Sequence, residues 1–251
     1  MYASRQLATV ILAAGKGTRM KDPGKSKVMF ELKDQPMIQY VIELALEISS
    51  DLIVVVVGYK KESVMAFIEE EFPNSMDKIV FAHQDEQLGT GHAVMQAKEF
   101  LNDFKGDVLI LSGDVPLLKP ETISEFLEFH YENANSASMI SALFDDPHGY
   151  GRVVRDINMD VTEIVEEKDA TEIQKQIKEI NSGIYLIDSK YLLEALDNLS
   201  DDNAQGEYYL TDIFKYLREN KKKVGAYPVE NKLEITGVNT IEQLKELEKH
   251  I

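Results

Sequence analysis

Residues 12–20, LAAGKGTRM, have the types and spacing that could handle phosphate. Gly15 and Gly17 carry no Cβ, so backbone N–H groups there can approach an anion closely. Lys16 and Arg19 add positive charge, and Thr18 adds a hydroxyl. Two other phosphate loops are excluded. The dinucleotide fingerprint G-x-G-x-x-G fails because Met20 stands where its third glycine belongs. The Walker pattern is mimicked by Gly24-Lys25-Ser26, but Arg19 occupies its first glycine position. The charge distribution points the same way. Residues 1–33 hold seven basic residues, Lys21 among them, against two acidic ones, a net of +5, whereas all 251 residues sum to −17. A basic pole on an acidic chain reads as a local anion site or, taken alone, as a solvated positive loop.

Composition removes several function classes. The acidity excludes a nucleic-acid polymer as partner, since that requires a basic face. With no Cys there is no disulfide, thiolate metal site or Cys nucleophile. Hydrophobic residues at 44% and charged residues at 28% describe an ordinary globular chain. No apolar run approaches the ~18 residues of a membrane span, so no membrane partner is expected. The apolar start runs straight into the glycine loop and reads as a first strand rather than a signal peptide, which makes the cytoplasm the expected location.

The elements that must hold this loop follow from periodicity. Residues 8–13, 52–57, 79–82 and 108–111 are short apolar runs. Between them, residues 37–48, 61–71, 91–101 and 120–133 show helical spacing, with Ile38, Val41, Ile42 and Ala45 on one face of the first. LIVVVV at 52–57 is apolar throughout, as a parallel strand covered on both faces must be. This alternation predicts a doubly wound, mostly parallel α/β sheet. Beyond residue 136 the pattern changes to strands at 138–143, 151–155, 164–167 and 183–187. Helices follow over 190–196, 211–220 and 240–250. No linker separates the two parts, so one domain over residues 1–251 is expected.

The nonamer LAAGKGTRM closely resembles the opening motif of the sugar-1-phosphate nucleotidylyltransferases. Further segments, in order, resemble one branch of that family, the uridylyltransferase half of the bifunctional bacterial enzymes that also acetylate glucosamine-1-phosphate. They are EQLGTGHA (86–93), GDVPLL (113–118), DDPHGYGRVV (145–154), IVEEKDAT (164–171), EINSGIY (179–185) and NAQGEYYLTD (203–212). The resemblance implies a Rossmann-like sheet, with residues 1–135 as a nucleotide-binding half and 136–251 as a sugar-binding half. It implies UTP and N-acetylglucosamine-1-phosphate as substrates, Mg2+ as cofactor, and UDP-N-acetylglucosamine for peptidoglycan synthesis as product. The β-helix that carries acetyltransfer in the family is not expected within these residues.

Site residues carry over one by one. The resemblance puts nucleotide contacts on Leu12, Ala13, Ala14 and Gly15, with Arg19 and Lys27 as the catalytic cations. The family reads Pro-Lys where this chain has Ser26-Lys27, so Lys25 competes for the role. The distance from Lys27 to Met37 favours Lys27. Gln84 is expected at the uracil edge, where a carboxamide can both donate and accept, with Gly89 and Thr90 beside it. His92 reads as structural. Asp114 and Asn239 are the implied metal ligands, although Asn239 could equally be a helix N-cap beside Thr240. Gly151, Glu166, Asn181, Tyr209 and Thr211 are the implied sugar contacts. Some family members carry Tyr where this chain has Ser112, so no aromatic contact is expected at that position.

Overall fold

The computed structural model describes residues 5–20 and 22–250; Lys21 of the basic segment lies outside the described residues. The elements run β1 (Gln6–Ala13), β2 (Glu31–Leu32), β3 (Gln35–Pro36), α1 (Met37–Glu47), β4 (Leu52–Val57), α2 (Lys61–Glu71), β5 (Ile79–His83), α3 (Thr90–Met95) and α4 (Lys98–Leu101). They continue as β6 (Gly106–Ser112), α5 (Pro120–Glu132), β7 (Ala137–Leu143), β8 (Arg152–Arg155), β9 (Val161–Val165), β10 (Glu179–Asp188), α6 (Ser189–Leu196), α7 (Asp212–Glu219), β11 (Val224–Pro228) and α8 (Ile241–Leu247).

Nine strands form one sheet whose main path is β11-β7-β10-β6-β1-β4-β5, with the β8–β9 hairpin attached through β10. Its β1, β4, β5 and β6 are parallel, and β10 alone runs antiparallel between β6 and β7. Alternating side chains serve two cores. Ile11, Val55 and Leu109 face α1, α2 and α5. Ala8, Val10, Val54 and Val108 face α3, α6 and α7. Both faces are therefore apolar, which is why 52–57 shows no period-two pattern. From β1 the chain crosses to β4 on one side, and it returns to β6 on the other. The strand order reverses there, and ligands of open α/β sheets bind at the carboxyl ends of strands at such a switch.

A third, small core lies above that end. Met20, Phe30, Leu32 and Met37 pack with Val238, Leu244 and Leu247. It ties α8 to the segment after the glycine loop, although the two are far apart in sequence.

Several boundaries differ from the periodicity. The helix expected over 91–101 is two, α3 and α4. Gln96 and Ala97 donate to Ala93 and Val94, so the ladder tightens to i→i+3 bonds there. The last helix ends at Leu247 and continues as a 3₁₀ turn, Glu248–His250. The strand read at 183–187 is the second part of β10. A bulge lies between Asn181 and Tyr185, where Gly183 takes φ +81°. Strand β11, VGAYP, had no reading in the sequence because its Gly and Pro are strand breakers. It nevertheless pairs in parallel with β7.

Candidate active site

Strand β1 delivers the glycine loop to the switch point, with Leu12 in register with Ser112 of β6 and Ala13 with Val57 of β4. Gly17 is required by two facts. It adopts φ +60°, and a Cβ there would stand 2.6 Å from the Lys27 Cβ. Nothing within 4 Å opposes a Cβ at Gly15, whose backbone lines an open cleft of about 260 Å³. Leu12, Ala14, Gln84, Gly89 and Thr90 line the same cleft, together with Lys27 and Asp114. Ala13 does not, because its side chain is buried against the α1 face.

The charged residues singled out in sequence converge at the cleft mouth. The Lys27 ammonium pairs with the Asp114 carboxylate and donates to Asn239 Oδ1 at 2.8 Å. An Arg19 guanidinium N–H donates to the same Asn239 oxygen at 2.8 Å. Asn239 is not the helix cap. Thr240 caps α8 through a reciprocal box with Gln243, and Gln243 Oε1 also accepts the Asn239 N–H at 2.7 Å. The Asn239 side chain is thereby left to point at the cations. The Val238 N–H donates to the Asp114 carbonyl at 2.9 Å, which fixes the two loops relative to each other. Lys25 is held elsewhere, with its ammonium 2.8 Å from Glu31.

A second cleft, of about 220 Å³, shares Leu12, Thr90 and Ser112 with the first. Gly151, Glu166, Asn181 and Thr211 line it. Burial pushes the Glu166 carboxyl up, and Asp212, Asp169 and Glu207 add to that, although the Thr211 hydroxyl stabilises the charge from 3.1 Å. Tyr209 does not line this cleft. It faces a neighbouring acidic cavity, where its hydroxyl donates to Asp169 at 3.0 Å. Ser112 lines this cleft, and so do two aromatic residues from elsewhere in the chain, Tyr150 and Tyr185 of β10. The buried Tyr185 hydroxyl accepts from Asn181 Nδ2 at 2.7 Å.

Two further side chains went unread in sequence. Arg152 is 1% exposed, and its guanidinium lies 2.6 Å from Glu167 while donating to the Tyr150 carbonyl. Burial opposes ionisation of Glu167, but Arg152 and the Gly149 N–H outweigh it and hold the carboxyl below its usual range. The pair locks the Gly149–Gly151 loop to the strand end that carries Glu166. An Arg opening the apolar run RVV was the available signal, since a buried guanidinium needs a partner. Tyr185 carried no signal, because an aromatic in a strand normally packs in a core.

The doubly wound sheet, the glycine loop at its switch point and the cationic mouth define a phosphate-handling α/β enzyme. A family model described as nucleotidyl transferase matches residues 8–233, and the chain belongs to that family. Among its relatives, the bifunctional protein GlmU of Geotalea daltonii is 47% identical over 241 residues, covering 96% of this chain and 51% of that protein. The GlmU of Streptococcus uberis is 45% identical over 230 residues, covering 92% and 48%. The chain thus spans about half the length of these curated relatives. The fold matches UDP-glucose pyrophosphorylase complexed with UDP-glucose at a TM-score of 0.79 and 17% identity, covering 98% of each chain. It also matches a putative glucose-1-phosphate thymidylyltransferase from Bacillus anthracis at 0.76 and 19%, covering 97% of this chain and 94% of that one.

Proposed function

We propose that this chain transfers a uridylyl group from UTP to N-acetylglucosamine-1-phosphate, releasing pyrophosphate. A sugar-phosphate oxygen attacks the α-phosphorus, a P–O bond forms, and the bond to the β-phosphate oxygen breaks. The reactants are polyanions, so the protein's task is positioning and charge neutralisation rather than covalent chemistry. The observation that carries this reading is the meeting of Arg19, Lys27, Asp114 and Asn239 through the Lys27 ammonium and the Asn239 oxygen, with Lys27 and Asp114 lining the first cleft beside the glycine loop.

In this reading residues 1–135 form the nucleotide half and 136–251 the sugar half of one domain, acting in the cytoplasm. Backbone N–H groups of the glycine loop, with Arg19, receive the triphosphate. Lys27 stabilises charge that builds on the α-phosphate. Gly151, Glu166, Asn181 and Thr211 orient the sugar, while Tyr209 acts only from the neighbouring cavity.

The donor set fits Mg2+. The Asp114 carboxylate and Asn239 Oδ1 both contact the single Lys27 ammonium, which stands in for a cation between two hard oxygen donors. Among the described residues no cluster of three or more His, Cys, Asp or Glu could hold a metal. Asp114 and Asn239 would therefore hold Mg2+ jointly with substrate oxygens and water. When bound, it neutralises and aligns phosphate oxygens.

The test is pyrophosphate release from the two substrates with Mg2+, and its loss on chelation. Release only with dTTP or with another sugar phosphate moves the chain to a neighbouring branch. Tight UTP binding without turnover on any sugar phosphate makes it a nucleotide-sugar-binding subunit.

A further inference from the structure

The Lys27 ammonium is claimed by two tasks. It pairs with the Asp114 carboxylate and donates to Asn239 Oδ1 at 2.8 Å, and these are the two residues that would hold Mg2+. Lys27 also lines the cleft beside Gly15, where charge is to build on the α-phosphate. Asp114 lines the same cleft, so one side chain serves both places. An Mg2+ ion sits about 2.1 Å from each of its oxygen ligands. An ion that close to both Asp114 and Asn239 lies in the space between them, and the ammonium is hydrogen-bonded into that space. The two cations therefore exclude each other there.

The loop keeps the root of Lys27 still and leaves its tip able to move. A Cβ at Gly17 would stand 2.6 Å from the Lys27 Cβ, so the root is packed against the glycine loop. Lys27 opens a 3₁₀ turn, Lys27–Met29, between the buried Ser26 and Val28. Beyond the Cβ, lysine is a flexible stem with a compact charge at its end. The Lys27 side chain is 14% exposed and that of Asp114 20%, so solvent screens the pair only in part. Arg19 donates to the Asn239 oxygen as well, at 2.8 Å. Asp114, Lys27 and Arg19 together leave one net positive charge on these donors. A divalent ion added with Lys27 still in place would raise that to three, which like-charge repulsion opposes.

We infer that Lys27 is a built-in counter-ion of the metal donors, and that a divalent cation is admitted only as Lys27 leaves Asp114 for the triphosphate. An incoming triphosphate brings the negative charge that draws the ammonium off the carboxylate. Asp114 and Asn239 are then released to hold the ion jointly with phosphate oxygens. The exchange leaves the partly buried Asp114 carboxylate neutralised before and after, so no unpaired charge is created at the cleft mouth. Metal and nucleotide accordingly bind with positive coupling, and the chain without nucleotide holds the metal poorly. Lys27 thus acts before the chemistry as well as during it. Lys25 has no part in this, because its ammonium is held 2.8 Å from Glu31.

The inference rests on the reading of Asp114 and Asn239 as metal ligands, and its test separates the two. Mn2+ binding to the nucleotide-free full chain is measured by electron paramagnetic resonance, with pyrophosphate release under chelation alongside. Lys27→Met is expected to hold Mn2+ at least about tenfold more tightly than wild type. Lys27→Gln should show the same gain, and it takes the place of Lys27→Met should that chain not fold. Lys25→Met removes an equal charge and should stay within about twofold of wild type. An acidic chain also gathers Mn2+ on its surface, so Asp114→Asn is added to Lys27→Met, where it should abolish the gain. No gain in either Lys27 variant, or an equal gain in Lys25→Met, overturns the inference, and the metal reading stands if chelation stops pyrophosphate release. A gain that survives Asp114→Asn overturns the inference, because the ion then lies elsewhere. Pyrophosphate release that survives chelation overturns the metal reading and the inference with it.

Discussion

Replacing Lys27 tests the proposed chemistry most sharply. Its ammonium sits in the cleft mouth between Asp114 and Asn239, with the side chain 14% exposed. Lys25, two residues earlier, has a side chain 35% exposed and is paired with Glu31, with its ammonium 5.5 Å above the Phe30 ring. An ammonium about 4 Å from a phosphate oxygen, at an effective dielectric near 20, interacts by about 4 kcal/mol. Removing one such preorganised stabilising group costs about 3 to 4 kcal/mol, or roughly 10²–10³ in turnover. Lys27→Met keeps the stem that packs beside Gly17 and removes only the charge. Losing a partly exposed ion pair costs about 1 kcal/mol, which in a chain of this size lowers Tm by only about 2–4 °C. Pyrophosphate release under saturating substrates should therefore fall at least a hundredfold in Lys27→Met and less than threefold in Lys25→Met. Near-normal turnover in Lys27→Met with collapse in Lys25→Met would refute the assignment of the cation.

Gly17→Ala forces an L-residue to φ +60° and drives its Cβ into Lys27. It should cost about 2 kcal/mol or more of stability by denaturant unfolding and reduce turnover as Lys27 shifts. Tyr185→Phe removes the hydroxyl that receives the Asn181 amide in the second cleft. We expect the KM for the sugar phosphate to rise about tenfold with that for UTP unchanged, and equal effects on both would remove Tyr185 from the sugar side. His130 of α5 is held down to about 4 by burial, with Arg5 adding to the effect. Its folded value lies below the unfolded 6.5, so the unfolded chain binds more protons between the two. Stability should fall by up to about 3 kcal/mol as pH drops from 7 to 4, and His130→Gln should flatten that slope in urea titrations.

What the residues disclose by themselves is whatever depends on neighbours in sequence. The run LIVVVV and the helical faces around it are local signals, and they sufficed for a doubly wound sheet. The glycine loop could be read as an anion site because missing Cβ atoms and nearby cations act over a few residues. Asn239 is different, because it lies 212 residues from the Lys27 it contacts. The small core of Met20, Phe30 and Met37 against Val238 and Leu244, with the Val238 N–H to Asp114 carbonyl bond, brings it there, and the Thr240 capping box leaves its side chain free of the helix end. Tyr185 reached the second cleft through a two-residue bulge in β10, which alternation along a strand cannot anticipate. The buried pairing of Arg152 with Glu167 has the same origin. Residue type states what a polar group can offer, but which of its atoms remain for a ligand is decided once the packed chain has used the others.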